Sequence, residues 1–175
     1  MNQPGQSLSE LIRETNAQVR ALFEELAIDP TLSELKPTLD KTFVVVVGLL
    51  DVLGRLTANS ECIDRLIVQY GTQKPTGCDS AGRIQLVTTL NPQTLPPNVA
   101  DEYSARKNAE EQMLGERSRV VDLFTEVAPA LYGGPLCARF RFLIPIIADS
   151  STPEQLEKLT AQCPSVPWLK HTSKQ

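Results

Sequence analysis

The sequence predicts a predominantly helical α+β protein, in the order α–α–α–β–α–β–α. Three observations lead there. The stretch 37–57, PTLDKTFVVVVGLLDVLGRLT, is apolar on every side between Phe43 and Leu50, which a surface element does not tolerate in water. Apolar residues at helical spacing also mark 7–27, 60–71, 120–127 and the segment after Thr152. Two short segments, 83–90 and 136–144, instead alternate with the strand period of two. The expected arrangement is a single domain, 1–175. Its helical N-terminal half (1–71) surrounds a buried central helix. The α+β half (72–175) holds a small two-stranded sheet element, a long helix between the strands and a short C-terminal helix.

The composition sets outer bounds. A chain of 175 residues is long enough for a sizeable core, and 41% hydrophobic with 22% charged residues is the balance of an ordinary globular protein. A net charge of −4 argues against a broad electrostatic surface for nucleic acid, while a local basic patch stays open. The N-terminal MNQPGQSLSE has neither the basic nor the apolar region of a secretory signal. No asparagine begins an Asn-x-Ser/Thr acceptor. An intracellular location, cytoplasmic or nuclear, is therefore expected.

Residues 7–27 form the clearest amphipathic helix. Ser7 and Glu10 make an S-x-x-E capping box, and Leu8, Leu11, Ile12, Val19, Leu22, Phe23 and Leu26 share one face. Asp29-Pro30 then starts one or two helical turns through Leu35. In the central stretch four consecutive valines favour a strand by propensity. Helix wins because Leu39, Phe43, Val46, Leu50, Leu53 and Thr57 recur at steps of four and three. The uncharged run spans only 42–50 before Asp51, short of the about 20 apolar residues a bilayer requires, so no transmembrane segment is expected. Asp51 is read as partly buried and ion-paired with Arg55. Ser60-Glu61 begins a third helix, with Ile63, Leu66, Ile67 and Tyr70 on one side, ending at Gly71.

GTQKPTGCDSAG reads as a loop, and 83–90 as a strand with Ile84, Leu86 and Leu90 on one side. Asn98 caps a long helix reaching Val127. Its first half, 101–119, has only Tyr103, Met113 and Leu114 as sizeable apolar residues, so it either projects from the body or breaks at Gly115. The YGGP turn precedes the second expected strand, 136–144, with Phe140, Phe142 and Ile144 on one face and Arg139 and Arg141 on the other. Thr152, Pro153 and Gln155 open the last helix with a capping box, and Trp168 pins the tail to the body.

Little in this pattern carries chemistry. Cys62, Cys78, Cys137 and Cys163 lack C-x-x-C spacing and read as free thiols in a reducing compartment. A zinc site from Cys78, Cys137, Cys163 and His171 lacks the usual short-range ligand spacing, and a Cys78–His171 dyad rests on the one histidine alone. The glycines at 77 and 82 lead into a strand, whereas a phosphate loop opens into a helix. No catalytic residue, metal or cofactor is assigned.

The leading expectation is a non-enzymatic interaction or assembly protein that meets a protein partner or a second copy of itself. Tyr103, Arg106, Met113, Leu114 and Arg117 would form the contact. The alternative is a nucleic-acid-binding protein using an arginine-bearing strand face, with phosphate contacts from Arg83, Arg139 and Arg141, extended by Arg117, Arg119 and Lys170. A cysteine-dependent enzyme is the third reading.

Overall fold

A computed structural model describes residues 7–168. The fold is predominantly helical with one small antiparallel sheet, in the order α1 (Leu8–Ala27), a 3₁₀ helix (Pro30–Leu35), α2 (Lys36–Tyr70), β1 (Thr72–Cys78), β2 (Ile84–Thr89), a 3₁₀ turn (Pro92–Thr94), α3 (Pro97–Tyr132), a 3₁₀ helix (Cys137–Leu143), α4 (Ile144–Ser150) and α5 (Pro153–Gln162). The chain divides into two compact units, Met1–Gly54 with Leu114–Gln175, and Arg55–Met113. The division falls inside α2 and α3.

The first unit is built on the central apolar run. Leu39, Val46 and Leu50 of the expected seam are buried, and Val45 and Leu49 join them in a core with Val19, Phe23, Phe124, Phe140 and Trp168. Burying a side chain of this size contributes on the order of 1.5–3 kcal/mol. Rings lock across the elements: Phe23 lies 5.1 Å from Phe43 and 5.3 Å from Phe140, and Trp168 stands edge-on to Tyr132 at 5.4 Å. Tyr132 Oη donates to the Phe140 carbonyl at 2.8 Å. Burial pushes the Tyr132 hydroxyl far above its usual range. The run is not sealed on every side, however: Val44 is 70% exposed and Asp51 is exposed instead of part-buried. The Pro30–Tyr70 region is long and apolar enough to cross a membrane by length and composition alone, and 44% of its most apolar window is buried inside the protein.

Two helix starts carry the expected caps, one in part and one in full. Ser7 Oγ accepts the Glu10 N–H at 3.2 Å, the Ser7 half of the expected box. Thr152 and Gln155 make the full capping box, with Gln155 N–H on Thr152 Oγ1 (3.2 Å) and Thr152 N–H on Gln155 Oε1 (2.9 Å). Gln155 is buried, and its Nε2 also donates to the Ser118 carbonyl (3.0 Å) and to Asp122 Oδ1 (2.8 Å), tying α5 to α3.

Three expectations need correction. Ser60 does not start a new helix, since α2 runs unbroken for 35 residues. Of the two alternatives left open at Gly115 the break is not taken: α3 continues to Tyr132, 36 residues in all. The segment TQKPTGC is β1 rather than loop, paired antiparallel with β2. The strand expected over 136–144 is instead a 3₁₀ helix leading into α4, so the sheet is a local hairpin and no long helix separates its strands. The burial pattern explains this last point: Phe140, Leu143, Ile144 and Ile147 are buried together, at helical steps. Gly133 permits the close turn after α3, because a Cβ there would meet the Pro129 carbonyl oxygen at 2.6 Å.

Candidate interaction surface

In the second unit the last turns of α2 and the first of α3 supply the buried residues Thr57, Asn59, Ile63, Leu66, Val99 and Met113. Asn59 is 4% exposed, and its Nδ2 donates to the Arg106 carbonyl at 2.8 Å while Arg106 Nη1 donates back to Asn59 Oδ1 at 3.4 Å. A buried amide held this way fixes the register of the two helical limbs, because leaving it unpaired costs about 1–3 kcal/mol.

The β1–β2 hairpin links the limbs along the chain. Its turn is organised by Asp79, whose Oδ1 accepts the N–H groups of Ala81 and Arg83 at 2.9 Å each, and whose Oδ2 pairs with Arg83 Nε at 2.9 Å. The backbone hydrogen bond from Arg83 is the main reason the Asp79 carboxyl titrates below the ordinary aspartate range. Gly82, at φ 80°, takes the left-handed position the turn requires. The loop's backbone donors at 81 and 83 are thus used by the chain's own carboxylate. The Arg83 guanidinium is held by Asp79.

Neither face of the hairpin is covered. Ile84 is 69% exposed, Leu86 58% and Val87 41%, and every residue of β1 is exposed. Pairing sets Cys78 opposite Ile84 and Pro75 opposite Leu86, so these four share a face, while Lys74 and Val87 share the other. Sequence reasoning found β2 and set Ile84 and Leu86 on one side of it. The alternation that marks a half-buried strand does not say whether anything covers it.

The helix expected to meet a partner is less available. Met113 is buried, Tyr103, Arg106 and Arg117 are half-buried, and Leu114 is 38% exposed. Tyr103, Arg106 and Met113 belong to the second unit, Leu114 and Arg117 to the first. Met113 therefore serves packing rather than an exposed contact. The arginine-bearing strand face is also absent, because Arg139 and Arg141 lie on the 3₁₀ helix. Arg139 pairs with Glu25 at 2.8 Å, and Arg141 is exposed.

All four cysteines are free thiols. Cys78 is exposed and Cys163 buried, and burial, with Cys137 nearby as a second cause, pushes the Cys163 thiol up. Among the described residues no three His, Cys, Asp or Glu side chains gather as metal ligands; Lys170 and His171 lie outside them. The first unit also holds a cavity of about 390 Å³ where α1 bends into α2, walled by Phe23, Leu26, Leu32, Leu39 and Phe43. Its charged lining is mixed, Arg20 and Lys36 against Glu24, Asp29 and Asp40, and selects no one ligand charge. No protein-family model, curated protein or solved structure matches the chain.

Proposed function

We propose that this chain is a non-enzymatic interaction or assembly component that self-associates, with the hairpin of the second unit as its contact. The observation that supports this reading is the exposure of Ile84, Leu86 and Val87 within one six-residue strand. Single exposed apolar residues are ordinary, but Ile84 and Leu86 side by side on one uncovered face, with Val87 exposed on the other, favour an association surface. A two-stranded hairpin is marginal in water by itself, and a partner that covers it adds the burial it lacks. This surface takes the place of the helical anchor Met113, which is buried, while Tyr103 is half-buried.

Light scattering across a concentration series tests the reading. The expected result is a mass that rises above the 19.3 kDa of one chain as concentration increases. A constant 19.3 kDa up to the highest concentration overturns it.

A further inference from the structure

The two edges of the hairpin are not equivalent. The Arg83 carbonyl accepts the Asp79 N–H at 2.9 Å and the Gln85 carbonyl accepts from Thr76 Oγ1, so residues 83 and 85 face β1. Alternation then turns the backbone N–H and C=O of Ile84, Leu86 and Thr88 to the open side. The outer edge of β1 is blunted three times over. Pro75, opposite Leu86, has no N–H to offer; the register slips at Thr76; and Lys74 carries a charge. The outer edge of β2, IQLVTT, has no proline, no charge and no bulge.

We infer that β2 pairs antiparallel with β2 of a second copy, about a two-fold axis at Leu86, giving a four-stranded sheet in the order β1–β2–β2–β1. This deepens the proposed self-association by naming its edge and its occupant. Two features select a second copy over an unrelated strand. Pairing about the axis closes, because both outer edges of the new sheet are the blunted β1, whereas a foreign strand would bring an edge of its own. The charges also fit: β2 sets only uncharged side chains against themselves, and in this register Arg83 lies opposite Thr89 instead of another arginine. Ile84 and Leu86 from both copies then form one continuous apolar strip. The strand edge and its exposed side chains amount to roughly a few hundred Å² per copy, below the about 800 Å² of a standard interface, so the dimer is weak and depends on concentration.

Sedimentation equilibrium on the full chain tests the pairing. Leu86→Lys places two like charges across the axis and is expected to weaken association at least about tenfold, and Thr88→Lys on the same edge also weakens it. Val68→Lys, on the exposed side of α2, leaves it unchanged. Mixing Leu86→Lys with Leu86→Glu at low salt restores association to within about threefold of the unmodified chain, because the two side chains meet at the axis. Unchanged association in Leu86→Lys, or a mixture that stays dissociated, overturns the pairing while leaving self-association standing. A chain that is monomeric throughout overturns both.

Discussion

Pro75 stands directly opposite Leu86 in the hairpin, where a proline costs no cross-strand hydrogen bond because its missing N–H would point away from β2. The residue that closes one edge of the sheet thus sits across from the centre of the edge left open. Replacing it tests whether that asymmetry limits association. Pro75→Val restores a donor and raises strand propensity. Species larger than a dimer are expected in sedimentation velocity, and an unchanged distribution would show that Pro75 does not guard the edge.

The Asp79 turn should respond to acid in a definite direction. Its carboxyl titrates below the ordinary range, chiefly through the N–H of Arg83. A lowered value in the folded state means the stabilisation is fully present above the unfolded value of about 3.9 and is lost as pH falls through the lower folded one. Amide shifts of Ala81 and Arg83, followed by NMR, should move with a midpoint below the unfolded value of about 3.9. Movement centred near neutral pH would contradict the assignment.

Gln155 is the polar hinge of the first unit, satisfied at both ends of its amide. Gln155→Ala orphans the Thr152 N–H and Asp122 Oδ1 together and should destabilise by about 1–3 kcal/mol. For a chain of this length that is about 2–4 °C in Tm per kcal/mol. An unchanged melting curve would show that water replaces the amide without cost.

Thiol labelling should follow exposure. Cys78, on the open face of β1, should react first, and Cys163, buried and raised, last. The reverse order would place β1 against something or open the core around Trp168.

Much of the helical framework was legible in the residues. The steps of four and three from Leu39 to Thr57 identified the central helix, and the Thr152–Gln155 box fixed the start of α5 to the residue. What misled was a period chosen from too few positions. Phe140, Phe142 and Ile144 alternate like a strand, while Phe140, Leu143, Ile144 and Ile147 are the set that packing buries. Pro145, in the first turn of α4, was the available sign of a helix start. β1 was invisible for a different reason. TQKPTGC has no apolar side to show, since nothing packs on it, and its strand form comes from the turn that Asp79 holds and from pairing with β2. A sparse helix such as 101–119 looks uncovered in sequence, yet Met113 is buried and Asn59 and Arg106 join the helix to α2.

The most direct test is residue-resolved amide hydrogen exchange on the dilute chain, where copies are apart. The hairpin described here predicts slow exchange at Gln85 and Val87, which face β1, and fast exchange at Ile84, Leu86 and Thr88, which face the open edge. Slow exchange at Leu86 in the isolated chain, or fast exchange along the whole of β2, would contradict an edge left free for a second copy.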